Sequence, residues 1–184
     1  MQLLETIRGF LTSLDKSKIY NEFSLQHELG FFLRYNHKEY TVEFERNISH
    51  FSIPKDKAPK KEIDIIIYTN DIAEKIAIEL KCPQSGKIPE NMYSFCKDIY
   101  FLEYLTHYGF DKGYFIAVTN DKLYFESTST PKQVYRFFRI GEIITGRIEK
   151  PTGNIKEHIT IKNEYTAEWI DIGNGFKCIL ISVT

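Results

Sequence analysis

Two runs of alternating polarity organise this chain. Glu62-Ile-Asp-Ile-Ile-Ile and Ile78-Glu-Leu-Lys81 each set charges two residues apart, so within each run the charges share one face of a pleated strand. The segment between them, Thr69-Asn70-Asp71-Ile72-Ala73-Glu74, is rich in turn formers. Paired as a hairpin centred between Asp71 and Ile72, the runs place Asp64 opposite Glu79 and Glu62 opposite Lys81. One face then reads Ile63, Ile65 and Ile67 against Ile76, Ile78 and Leu80, which is core. The other carries two carboxylates side by side with an ammonium next to them. Like charges directly opposite one another destabilise a ladder, and a cation held between them removes that cost.

The same patterning lays out the remaining elements. Helices are expected over 3–14 and over 23–35, the second entered after Asn21. Val42 and Phe44 alternate with Glu43 and Glu45, which makes 40–48 a strand. A loop rich in Pro and Lys covers 52–61, and the hairpin strands span 62–69 and 75–82. After a loop at 83–89 comes a long helix over 90–108, stopped by Gly109. An apolar strand at 113–119 turns at Asn120-Asp121 into 122–126. From about 132 the chain is β-rich, with a hairpin of 167–172 and 176–183 around Gly173-Asn174-Gly175. The expected fold is α/β: a mixed sheet flanked by helices, with an additional β-rich C-terminal segment. A single domain is expected over 1–184, its core over about 20–126 and the extension over about 132–184. That extension could be further sheet, a small subdomain, a substrate clamp or a dimer surface.

Composition changes this picture little. The 184 residues suffice for one domain with a real core, and 14 Phe and 12 Tyr suggest dense packing or an aromatic contact surface. The net charge of −1 advertises no nucleic-acid binder, yet a carboxylate-rich site would cancel basic residues elsewhere. Lys55, Lys57, Lys60 and Lys61 crowd one loop, which could track a phosphate backbone or could simply be solvated. Cys82, Cys96 and Cys178 form no spaced pair, which speaks against zinc or a disulfide framework and for reduced thiols in a cytoplasmic protein. Met1 to Leu14 contains Glu5 and Arg8 and reads as neither signal peptide nor membrane span, so no membrane partner is expected. The 5 histidines show no ligand spacing.

Candidate chemistry centres on Asp64, Glu79 and Lys81. Carboxylate oxygens are what hard cations such as Mg²⁺ require, and the backbone carbonyl of Leu80 could add a ligand, with water filling the rest. Such an ion would bind a phosphoryl oxygen and acidify a water, while Lys81 orients that water or stabilises developing charge. A surface ladder of salt bridges, Glu62 to Lys81 among them, would show the same hairpin face. Glu28 adds weight to the site. On a helical wheel it falls inside the arc of Leu25, Leu29, Phe31, Phe32, Leu33 and Tyr35, opposite Gln26, His27, Gly30 and Arg34. A carboxylate on a buried face needs a partner, either one lysine at the margin or the same metal pocket. Weaker candidates are Gln84, just past the site, and Lys97, on a helix side with Tyr93, Tyr100, Tyr104 and Tyr108 that could stack bases or simply be core.

Helix with Glu28, strand, strand with Asp64, then Glu79-Leu80-Lys81 resembles the PD-(D/E)XK nuclease superfamily, which includes restriction endonucleases and archaeal Holliday-junction resolvases. Lys97-Asp98-Ile99 and Leu102-Glu103 also look like the helix that follows the Lys strand in such proteins. The likeness covers about residues 20–120, and Ile63 stands where the family name has Pro. It implies a restriction endonuclease-like core and Mg²⁺-dependent hydrolysis of nucleic acid, DNA before RNA, with Mn²⁺ able to substitute. Asp64 and Glu79 would ligate the metal, Lys81 would be the catalytic lysine, and Glu28 would assist the metal or its water. Lys60, Lys61, Gln84 and Lys97 would touch nucleic acid, and a homodimer or a partner protein could complete the assembly. A catalytically silent module of the same fold, binding nucleic acid or protein in a defence or repair assembly, is the alternative.

Overall fold

The computed structural model describes residues 2–56, 58–84, 86–127, 130–153 and 157–184. In chain order these form α1 (Gln2–Ser13), α2 (Glu22–Asn36), β1 (Thr41–Asn47), β2 (Glu62–Tyr68), β3 (Lys75–Lys81), α3 (Ile88–His107), β4 (Lys112–Thr119), α4 (Tyr135–Arg139), β5 (Ile144–Glu149), β6 (His158–Tyr165), β7 (Ile170–Gly173) and β8 (Phe176–Val183). The fold is α/β around a mixed six-stranded sheet in the order β1-β2-β3-β4-β8-β7. β3 and β4 run parallel, joined through α3, and the other neighbours are antiparallel. Leu3, Ile7, Leu25, Leu29 and Leu33 of α1 and α2 pack on one face, with Ile65, Ile67, Ile76, Ile78 and Leu80. α3, α4 and the separate β5–β6 hairpin pack on the other face, through Phe95, Phe115, Phe138 and Ile161.

The β2–β3 hairpin takes the expected register, with Ile65 opposite Ile78 and Ile67 opposite Ile76. Asp64 and Glu79 come next in line, but no backbone pair forms there. The two strands open, and side chains take over the hydrogen bonds. Leu80 N–H donates to Asp64 Oδ2 at 2.8 Å, and Asp64 N–H points at Glu79 Oε1 at 3.4 Å. On the other edge β1 pairs Phe44 with Ile65 and Arg46 with Ile63, while Glu45 between them adopts a left-handed φ of 49°. Gln26 compensates from α2: its amide donates to the Asp64 carbonyl and to Glu45 Oε1, each at 2.6 Å. This break corrects the expected core face, because Ile63 is buried with Ile48, Ile53 and Ile66 on the opposite side of the sheet from Ile65.

α2 also corrects the wheel. Its buried residues are Ser24, Leu25, Gln26, Leu29, Gly30 and Leu33, whereas Phe31 and Tyr35 are exposed. The helix sits so close to β1 that a Cβ on Gly30 would lie 2.1 Å from the Phe44 ring. Close approach at Gly30 therefore joins the hydrophobicity of Leu25, Leu29 and Leu33 in choosing its buried face. Gly30→Ala is expected to cost about 1–3 kcal/mol through forced displacement of Phe44 or of the helix. Chemical denaturation of the variant checks this.

The tail is both sheet extension and separate hairpin. β7 and β8 join the main sheet, with Ile116 opposite Leu180, and turn through Gly173, Asn174 and Gly175, which all have φ between 56° and 89°. β5 and β6 pair only with each other and are held to α3 by Glu103, whose carboxylate accepts Lys162 N–H at 2.9 Å, Asn163 N–H at 2.8 Å and the Tyr165 hydroxyl at 3.1 Å. The helical α4 departs from the β-rich expectation. Adjacent Phe137 and Phe138 both enter the core, which the alternation of a one-sided strand forbids. Cys82, Cys96 and Cys178 are buried and free. Among the described residues no helix is long and apolar enough to cross a membrane.

Candidate active site

Where β2 and β3 part, their carboxylates meet. Glu79 is fully buried and Asp64 nearly so. Lys60, from the loop before β2, reaches between them, with Nζ 2.5 Å from Asp64 Oδ1 and 2.5 Å from Glu79 Oε2. Beside this trio, Lys81 Nζ lies 3.0 Å from Asp98 Oδ2 on α3, 3.3 Å from Glu22 Oε1 at the start of α2, and 2.8 Å from its neighbour's carbonyl, Leu80 O. Glu22 is aimed there because Asn21 and Ser24 close a capping box around it: Ser24 N–H donates to Asn21 Oδ1 at 2.8 Å and Asn21 N–H to Ser24 Oγ at 3.1 Å. A cleft of about 310 Å³ opens onto the group, lined by Glu22, Pro59, Lys60, Lys81, Ser94, Lys97 and Asp98.

Burial and mutual repulsion set the protonation of this cluster. Burial, reinforced by Asp64, pushes the Glu79 carboxyl well above the usual range, against the pull of Lys60. Burial likewise raises Glu22 and Asp98, although Lys81 draws both down. For Lys81 burial favours the neutral amine, but Asp98 and Glu22 more than offset it and raise its pKa above that of a free lysine. Lys60 is raised in the same way, with Glu79 and Asp64 outweighing burial. Both lysines are therefore ammonium ions at neutral pH. Lys81 as an ammonium can donate hydrogen bonds and stabilise negative charge. Among the groups lining the cleft, the raised carboxyl of Glu22 next to it is better suited to accept a proton.

A pH dependence follows from the three raised carboxyls. The folded protein keeps protons on Glu79, Glu22 and Asp98 at pH values where the unfolded chain has released them, so stability falls as pH rises. The contribution is full below the ordinary carboxylate range and lost as pH climbs through the raised values. The lowered carboxyls, Asp15, Glu39, Asp71, Glu90 and Glu157, work in the opposite sense but only at more acid pH. Melting in EDTA is expected at a lower temperature at pH 8 than at pH 5, with a shallower dependence in Glu79→Gln.

The structure thus brings together Asp64, Glu79 and Lys81, and it leaves Glu28 out. Glu28 is half-exposed and pairs with Lys18 at 3.8 Å, since the face of α2 that meets the sheet lies elsewhere. Glu22 occupies the position expected of Glu28. Glu62 is exposed and makes no pair with Lys81, because Asp98 and Glu22 claim that ammonium. Lys60, expected to face a phosphate backbone, reaches instead into the acid pair itself. Lys61 is exposed, while Lys57 lies outside the described residues. Lys97 lines the cleft mouth and pairs with Glu157 at 3.8 Å. Gln84 turns back to the Cys82 carbonyl at 3.4 Å, an ordinary loop contact. Of the tyrosines on that side of α3, Tyr93 is buried, Tyr100 and Tyr104 are partly buried against the core, and Tyr108 is exposed with its ring 4.7 Å from that of Tyr104.

Glu22, Asp98 and the bridging position of Lys60 escaped the sequence reading. Asp98 had a signal: a carboxylate inside a helix that is apolar nearly all round. The donor set fits a hard cation, because two carboxylate oxygens from adjacent strands already converge on one positive charge. The Leu80 carbonyl, by contrast, is engaged by Lys81. Among the described residues no three His, Cys, Asp or Glu side chains stand in a ligating group. Compared with protein-family models, curated proteins and solved structures, the chain matches none.

Proposed function

We propose that this chain hydrolyses phosphodiester bonds in nucleic acid, DNA before RNA, at a metal-dependent site of the restriction endonuclease-like, PD-(D/E)XK type. The observation that carries the reading is the convergence of Asp64 and Glu79, from two adjacent strands, on the single ammonium of Lys60, which together with Lys81 lines the cleft in front of them. The order helix, three strands, helix, strand from α2 to β4 is in keeping with it. Mg²⁺, or Mn²⁺ in its place, would be held by Asp64 and Glu79 and would polarise a phosphoryl oxygen and acidify a water. Lys81, fixed as an ammonium by Asp98 and Glu22, donates to a phosphate oxygen and stabilises charge that develops there. Glu22 accepts a proton at the cleft's edge, and Lys97 at the mouth contacts the backbone of the polyanion.

A second reading rests on Lys60. An acid pair already neutralised by an internal ammonium is also what a silent member of such a fold would carry, a binding module in a larger assembly. Supercoiled plasmid, single-stranded circles and RNA, each incubated with the protein in Mn²⁺ or in EDTA, separate the two. Cleavage that needs the metal and is lost in Lys81→Met supports the nuclease and identifies its substrate. Intact substrates throughout would favour the module.

A further inference from the structure

We propose that Lys60 is the resident cation of the acid pair, and that a divalent metal enters the cleft only by expelling it. The inference rests on the metal-dependent reading above. Both lines of contact are short: Lys60 Nζ stands 2.5 Å from Asp64 Oδ1 and 2.5 Å from Glu79 Oε2. An ammonium and a divalent ion cannot share those two oxygens, since their charges repel at contact distance.

The geometry also gives Lys60 a way out. The Lys60 side chain is 32% exposed, whereas those of Asp64 and Glu79 are 6% and 0% exposed. The acids are therefore at the back and the lysine at the mouth. It comes from the loop before β2 on a long flexible stem, so it can withdraw by rotation of its own side chain while β2 and β3 stay in place. Removing the partner of a buried acid is costly, which is why a chain that must fold before it meets metal gains from supplying its own cation.

Two consequences follow. Metal binding in the wild-type protein is weakened by the ion pairs it must break. The expelled ammonium, close to Lys97 at the cleft mouth, becomes available to a phosphate. Metal and polyanion then favour one another through a shared lysine, and by linkage each strengthens the other's binding equally. The cleft would bind free metal weakly, and more tightly once a phosphate backbone takes Lys60 away.

Calorimetric titration of Mg²⁺ into wild type and Lys60→Met, without nucleic acid, tests this. The variant is expected to bind at least roughly tenfold tighter, a difference of about 1.4 kcal/mol. Nitrogen-detected NMR of the wild-type lysine ammonium groups gives an answer that no folding defect can obscure. A protected Lys60 signal in EDTA should be lost on saturation with Mg²⁺. Equal affinity in the two proteins, or a Lys60 signal that persists at saturating metal, would overturn the proposal and leave the nuclease reading standing. Failure of both proteins to bind Mg²⁺ or Mn²⁺ at millimolar concentration would overturn both.

Discussion

Glu79→Ala is expected to lower metal-dependent cleavage by about 10²–10³-fold while the protein stays folded. The activity argument is electrostatic: Glu79 supplies one of two carboxylates that converge on the cation position, and a single such group at a dry site is worth about 10²–10³ in rate. The folding argument is charge balance. Taking Glu79 away leaves Lys60 paired one to one with Asp64, so no isolated charge is stranded. The raised proton affinity of Glu79 shows in addition that the carboxylate is held there at a cost, which its removal relieves. Glu79→Gln keeps the shape and should lose as much activity. Plasmid nicking rates beside melting curves decide it, and undiminished cleavage in either variant would remove Glu79 from the site.

Lys81→Ala is expected to behave differently, losing stability as well as activity. Asp98 Oδ2 is buried and accepts no hydrogen bond among the described residues, so the Lys81 ammonium 3.0 Å away is its ion-pair partner, and Glu22 shares that ammonium. Breaking a buried ion pair from one side costs about 3–5 kcal/mol. For a chain of this size that lowers the melting temperature by roughly 10 °C. The deficit should shrink at pH 5, because the stranded Asp98, whose carboxyl burial already pushes upward, can take up a proton. Lys81→Ala combined with Asp98→Asn should recover much of the loss, and a double-mutant cycle measures the coupling. A Lys81→Ala protein as stable as wild type would mean that the ammonium is solvated and that Asp98 has another partner.

The hairpin register was legible because two apolar pairs and the turn between them demand it. Ile65 with Ile78, Ile67 with Ile76 and the turn between them leave no other in-phase choice. The placement of Asp64, Glu79 and Lys81 on the site followed from that register alone. Ile63 was misread because alternation assumes an unbroken pleat, and Glu45 with its left-handed φ breaks it opposite Asp64. Glu28 was misread because a wheel weighs hydrophobicity and is blind to distance. α2 buries Gly30 and Gln26, one for closeness to Phe44 and one for the carbonyl that the broken ladder leaves over. Lys60 and Asp98 reach the site from a loop and from a helix remote in sequence, and no local period encodes such convergence. The pairing of β8 with β4 is equally non-local, which is why the tail looked like an appendage.

That last pairing bears on how the protein is made. β4 is an interior strand, buried from Gly113 to Thr119, only because Phe176–Val183 lies against it. On the ribosome β4 emerges well before β8, and until β8 follows, its outer edge offers unpaired N–H and C=O groups beside Phe115, Ile116 and Val118. Such an edge recruits strands from other chains. α4 and the β5–β6 hairpin are synthesised in the interval, but they cover a face of the sheet and leave the edge open. The nascent chain is therefore vulnerable to aggregation in the interval between the emergence of β4 and that of β8, while the sheet still lacks both β8 and the β7 that pairs with it.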